Sequence, residues 1–177
     1  MKTYKQIPLK KTYKVLNTGS LVLISSSSSD SKHNLAPIAW NCPIESDPAT
    51  RFLFVCDKEN QTYVNIKETG RFVVCIPHES QKQLVMDLGS CSGKSVQKIE
   101  KFHMNTFKSK EFQLSIPEDC IAYVECKLSR IVDEENVGVI DSEVINAEVD
   151  VNAFTDRFLP ETSFGKTIRY VRNKQVY

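Results

Sequence analysis

The chain has 177 residues, 41% of them hydrophobic and 25% charged, an ordinary globular balance with enough length to bury a core. Its 23 Lys and Arg against 22 Asp and Glu leave a formal net charge of +1. A balance so near zero supplies no general field for nucleic acid or an anionic membrane, so any bound anion must be held by local donors.

The chain opens MKTYKQIPLKKTYKVLNTGSLVLISS. A signal peptide needs an apolar core of roughly 7–15 residues, and a membrane helix roughly 20. The longest apolar stretch of this opening segment runs only from Leu21 to Ile24, and no window of the chain approaches the length of a membrane helix. The expectation is a soluble, cytoplasmic protein that does not enter a membrane. Residues 21–25 read as a strand, and the serine run 25–29 with the polar residues behind it reads as a hairpin loop. Short β-branched or aromatic runs at 35–40, 51–56 and 71–76 read as further strands. Between the last two, Asn60 or Thr62 can cap a helix carrying Tyr63, Val64 and Ile66, with Gly70 at its C-terminal cap. Ser95 can cap another, with Val96, Ile99 and Phe102 on one face.

Further on, Ala122, Val124, Cys126 and Leu128 alternate with Tyr123, Glu125, Lys127 and Ser129, the period of a strand with one face inward. Residues 137–151 return after a turn, and their alternation breaks around 142–144, where a bulge belongs. No repeat or linker interrupts the chain, so residues 1–177 read as one domain, mainly β with short helices. An antiparallel barrel and an open sandwich both fit this pattern.

Three stretches carry candidate chemistry. Residues 33–43 hold the only tryptophan, Trp40, with Pro37 and Pro43. Pro43 and Pro48 bar an uninterrupted central strand, so nearby peptide N–H groups are open to a ligand. Trp40 then offers a flat apolar wall, although a core position is the ordinary place for tryptophan. Residues 57–65 join a strand to a helix, where N–H groups and the Thr62 hydroxyl make either a phosphate seat or a plain capped helix. Residues 91–98 look like the tail of a P-loop, but the earlier glycine is misplaced. Lys94 or Lys98 can neutralise a phosphate as a point charge, or lie solvated on a helix face. The six cysteines form no C-x-x-C pair and mostly lie in apolar strand contexts, the setting of buried reduced thiols. The three histidines are scattered, which gives no metal site.

Taken in order, these stretches resemble the flavin reductase-like family of FMN-binding split barrels, which includes flavoredoxin. The matching pieces run from about residue 21 to 151. They are Asn34-Leu35-Ala36-Pro37-Ile38-Ala39-Trp40, Ser46-Asp47-Pro48, Thr62-Tyr63-Val64-Asn65-Ile66, residues 68–77, residues 91–98 and Glu125-Cys126-Lys127. The resemblance implies a Greek-key antiparallel split β-barrel that forms a homodimer. It implies FMN contacts from Asn34 and Trp40, and backbone groups of Asn41 and Cys42 offered to the ring. It implies a phosphate contact from Thr62, with Asn65 in the same element, and another from Lys98, often across the dimer interface.

NAD(P)H is the implied co-substrate, delivering hydride to flavin N5, with an electron-acceptor protein as a further partner. Two departures stand out. Val137-Gly138-Val139-Ile140-Asp141-Ser142-Glu143 replaces a strand that carries a histidine in many relatives. Ile168-Arg169-Tyr170-Val171-Arg172 replaces a C-terminal Gly-Gly motif. The expectation is therefore an FMN-dependent oxidoreductase, with a non-enzymatic FMN electron carrier and a flavin-free dimeric scaffold as rivals.

Overall fold

The structure is a computed structural model that describes residues 3–12, 21–168, 170–171 and 175–176. Its strands are β1 (Tyr4–Gln6), β2 (Val22–Ser27), β3 (His33–Ile38), β4 (Asn41–Glu45), β5 (Arg51–Asp57) and β6 (Arg71–Pro77). They continue with β7 (Thr106–Lys108), β8 (Ser115–Pro117), β9 (Cys120–Asp133), β10 (Val137–Asp150), β11 (Tyr170–Val171) and β12 (Gln175–Val176). Three α-helices lie among them: α1 (Gln61–Thr69), α2 (Lys82–Gly89) and α3 (Lys98–Lys101).

The main sheet is antiparallel in the order β3-β2-β6-β9-β10-β5-β4, with β1 paired to the end of β10. Its two outermost strands, β3 and β4, are joined by only Ala39 and Trp40. Laid flat, those edges would stand about 29 Å apart at the usual strand spacing. A link that short reaches only about 10 Å, so the sheet must curl until its edges meet. The β4–β5 ladder runs right up to this link, where Val55 N–H donates to Trp40 O at 3.0 Å. This closure is the split barrel.

Continuous apolar runs such as 72–76 form central strands because both sheet faces are covered. In β6, Phe72, Val74 and Ile76 point into the barrel with Val22, Ile24, Phe52, Phe54 and Val124. Val73 and Cys75 face a second cluster built with Leu21, Leu23, Leu35, Val85 and Leu88. Phe54 and Phe72 meet edge-on with centroids 5.3 Å apart, and Phe52 completes the group. Four of the five strand cysteines, Cys56, Cys75, Cys120 and Cys126, are buried free thiols, and Cys42 on β4 is exposed. Burial pushes the Cys56 thiol up to about 11 and raises Cys75 and Cys126 as well, so all three stay protonated at neutral pH.

Several expectations hold in place and others move. α1 ends at Gly70, whose φ of 67° is the left-handed cap conformation. The register of β10 slips between Asp141 and Ser142 and between Val144 and Asn146, which is the expected bulge region. The serine run is not all loop. Ser25, Ser26 and Ser27 complete β2 and are buried, because Ser25 Oγ donates to Ser115 O at 2.7 Å and Asn65 Nδ2 donates to Ser26 Oγ at 3.1 Å. Satisfied hydroxyls let a polar strand end stay inside.

Ser95 caps no helix. It lies in a turn, and only Lys98–Lys101 is helical, after Gln97. Pro43 lies in β4, which pairs Asn41 with Phe54, Cys42 with Leu53 and Pro43 with Phe52 before its register slips between Pro43 and Glu45, so no uninterrupted central strand forms here. An edge strand tolerates proline because one side of its ladder is open. Of the C-terminal departure, Arg169 and Arg172 lie outside the described residues, as do residues 13–20 of the opening segment. No helix among the described residues is long and apolar enough to cross a membrane.

Candidate functional site

The site grows from the outer edge of β3. β2 pairs with one side of this strand, and the start of α1 and the 90–97 loop close around the other end of it. Asn34 is buried, and its Nδ2 donates to Thr62 Oγ1 at 2.9 Å, tying β3 to the first turn of α1. With that oxygen accepting, the Thr62 hydroxyl hydrogen is left to donate elsewhere. Asn60 sits at the helix N-cap without a side-chain hydrogen bond to the first turn. Asn34 Oδ1 is buried with no partner.

Gly93 lies directly against it. A Cβ at Gly93 would stand 2.1 Å from Asn34 Oδ1 and 2.8 Å from its Cγ, so only glycine allows the loop this close. Lys98 is buried below the loop. Its Nζ donates to Leu35 O at 3.0 Å and to Leu88 O at 2.6 Å, and no carboxylate pairs with it among the described residues. Desolvation lowers the Lys98 pKa below the ordinary lysine value, only partly opposed by nearby Cys91. A buried ammonium held only by neutral carbonyls is an electrostatic vacancy for an anion.

Three cavities follow β3 in sequence. A cleft of about 180 Å³ is lined by Asn34, Thr62, Cys91, Gly93 and Lys98 among others. It shares Pro37 and Ile38 with an open shelf of about 340 Å³ beside Trp40, Leu21 and Val55. Trp40 is 72% exposed and is no core residue. In the other direction the cleft shares Asn34, Gln61 and Gly93 with a polar chamber of about 280 Å³. The groove therefore has a flat apolar end at Trp40 and a cationic region at Lys98. It fits a long ligand with a planar apolar head and an anionic tail.

A model of the flavin reductase like domain matches residues 16–164. The chain belongs to that family. Among the relatives of this flavin reductase like chain is the uncharacterized protein YddH of Escherichia coli (strain K12). It is 29% identical over 159 residues, which cover 88% of this chain and 84% of that protein. The FMN-binding domain of a flavin reductases-like enzyme from Shewanella baltica OS155 superposes with a TM-score of 0.87 at 25% identity, covering 99% of this chain and 94% of its own. Flavoredoxin of Desulfovibrio vulgaris (Miyazaki F) shares the fold with a TM-score of 0.78 at 20% identity, covering 89% and 85% of the two chains.

Within this flavin reductase like fold, Asn34, Thr62 and Lys98 converge on one cleft, and Trp40 stands at the end of the adjoining shelf. Lys98 reaches the cleft of its own chain. Asn41 and Cys42 lie on β4 beyond the indole, with Asn41 Nδ2 donating to Ile38 O at 3.2 Å. Asn65 is not part of the groove lining. Its Oδ1 accepts from Gln61 at 2.6 Å and its Nδ2 donates to Ser26, so it positions α1 on β2. Gln61, Gly93 and Cys91 line the groove without having been singled out as ligand contacts in the sequence. The one signal for Gly93 was the Ser-Gly-Lys-Ser run, whose glycine is required by the close approach to Asn34.

Gly93→Ala is therefore expected to lift the loop, because the obstructing atoms belong to a buried side chain already bonded to Thr62. Overpacking of this kind costs about 1–3 kcal/mol, which, where it falls on the ligand-bound loop, corresponds to a loss of affinity of roughly 5- to 150-fold in the cleft. Ligand titration monitored by fluorescence measures it, and an unchanged affinity would show that the loop yields freely.

Proposed function

We propose that this chain binds FMN along β3 and works as an NAD(P)H-dependent oxidoreductase of the flavin reductase type, as a cytoplasmic homodimer. The observation that carries the reading is the polarity of the groove. An exposed indole shelf stands at one end, and a buried ammonium without a counter-charge stands further along. The family match and the FMN-binding domain from Shewanella baltica OS155 support the same ligand.

Each residue has a distinct part. Lys98 balances the phosphate charge, and the Thr62 hydroxyl donates to it while Asn34 holds that hydroxyl in place. Trp40, Pro37 and Ile38 wall one side of the ring position and keep water from it. Asn41 and Cys42 belong to the backbone that continues from this wall. When bound, the flavin supplies the redox chemistry, accepting hydride from reduced nicotinamide and passing electrons to an acceptor. Trp40 and Ile44 leave apolar surfaces exposed around the β3–β4 link, and such exposure supports the reading of a dimer.

A second reading is a non-enzymatic FMN electron carrier served by a partner protein. It is favoured by the absence of any histidine from the Trp40 shelf. His33 lines the polar chamber, His103 lies in a separate cavity, and His78 bonds Ser80 and Ser163 O at 2.8 Å each. The deciding experiment is anaerobic stopped-flow reduction of the purified, FMN-loaded protein by NADH and by NADPH. Rapid bleaching of the flavin bands supports the reductase. Bound FMN that neither nicotinamide reduces leaves the carrier, and a protein that cannot be loaded with FMN removes both.

A further inference from the structure

We propose that the 280 Å³ polar chamber beside the cleft is a second phosphate seat, built on Lys94 and His33 and continuous with the mononucleotide site. This rests on the flavin reading and extends it. The chamber opens from the cleft at Asn34, Gln61 and Gly93, so a ligand seated at Thr62 and Lys98 leads straight into it.

Its chemistry is set by Lys108, which stands behind the chamber wall. The Lys108 ammonium lies 2.9 Å from His33 Nε2 and can only donate, so Nε2 accepts. The proton of the neutral ring is then on Nδ1, and that atom is buried with no partner. Burial first, and the Lys108 charge second, hold His33 below the ordinary histidine range, which keeps the ring neutral at pH 7. Lys32 is already paired with Asp30 at 2.8 Å, whereas Lys94 has no carboxylate partner among the described residues. The wall therefore holds an unmatched N–H donor at His33 and a cation without a carboxylate partner at Lys94, while Gly93 covers Asn34 Oδ1. A phosphate group answers both, accepting from His33 and balancing Lys94.

Such a group can come from two sources. One is the adenylate half of flavin adenine dinucleotide, and the other is the phosphate of a separate nicotinamide nucleotide. Equilibrium titrations of the parent, Lys94→Ala and His33→Gln proteins with FMN and flavin adenine dinucleotide, followed by flavin fluorescence, test the first. Calorimetric titrations of the FMN-loaded proteins with NAD⁺ and NADP⁺ test the second. The expected result is that both variants weaken either the dinucleotide flavin or NADP⁺ by about tenfold, with FMN affinity and melting temperature essentially unchanged.

Affinities unmoved by either variant would overturn the seat. So would an equal loss for FMN, which would assign the chamber to the mononucleotide itself. A parent protein that binds no flavin fails at the earlier step, and that pattern is distinct from a failure confined to the variants.

Discussion

Lys98→Met is expected to weaken FMN binding by roughly 10- to 100-fold while leaving riboflavin binding within about twofold of the parent protein. A hydrogen bond between charged partners contributes about 1.5–3 kcal/mol, and each 1.4 kcal/mol is a factor of ten in affinity. Riboflavin lacks the phosphate and so does not report on that contact. The fold should survive because two opposing terms act at the same place. Methionine leaves Leu35 O and Leu88 O without a donor, and it also removes the cost of burying an ammonium.

The same lysine predicts a pH dependence. Its folded-state pKa is lowered by burial, so between that value and the ordinary value of about 10.4 the unfolded chain binds more protons. Its contribution to stability therefore rises with pH through that window. A bound phosphate restores the cationic form, so FMN binding there should take up a proton. Calorimetry in two buffers of different ionisation enthalpy measures the uptake, which Lys98→Met should abolish. Equal losses for FMN and riboflavin would instead mean that Lys98 shapes the cleft without meeting a phosphate.

Glu125→Ala is expected to destabilise the protein by about 3 kcal/mol or more, the largest stability effect of any change considered. The carboxylate is fully buried in the middle of β9. It accepts from Glu111 N at 3.1 and 3.0 Å, from Phe112 N at 2.8 Å and from Asn146 Nδ2 at 2.9 Å. These contacts pin the 109–113 turn to the barrel and cross the β10 bulge at Asn146. Removing the acceptor leaves several donors unmatched at once, and charged acceptors are the costly ones to lose. Urea denaturation followed by circular dichroism gives the value. A loss below about 1 kcal/mol would show that water replaces the carboxylate at small cost.

Glu125 also illustrates where reading along the chain reaches its limit. Its place in the alternation with Val124 and Cys126 put it on the outward side of a strand. The outward side is covered by the β7–β8 connection, so the residue is buried and anchored. Trp40 is the reverse case. Composition made it a core candidate, yet it stands at the barrel seam, where two strand ends meet and little remains to pack over it. Helix α1 was legible because Asn60 and Gly70 bracket it with local backbone preferences. The helix expected after Ser95 shrank to one turn because the 91–97 segment lies against β3 and α1 instead.

The sequence by itself determined the strands, the α1 helix and the ordered motifs of the flavin reductase like domain, because these rest on neighbours in the chain and on side-chain periodicity. It also marked Asn34, Thr62 and Lys98 as members of one site through the resemblance. Only the tertiary structure decided that Lys98 is a buried ammonium held by two carbonyls, and that Gly93 closes on Asn34. The same holds for the polar chamber at His33, which continues the groove. Each of those depends on strands and loops distant in sequence meeting at the edge of a curled sheet, and no local pattern encodes which atoms are left without partners there.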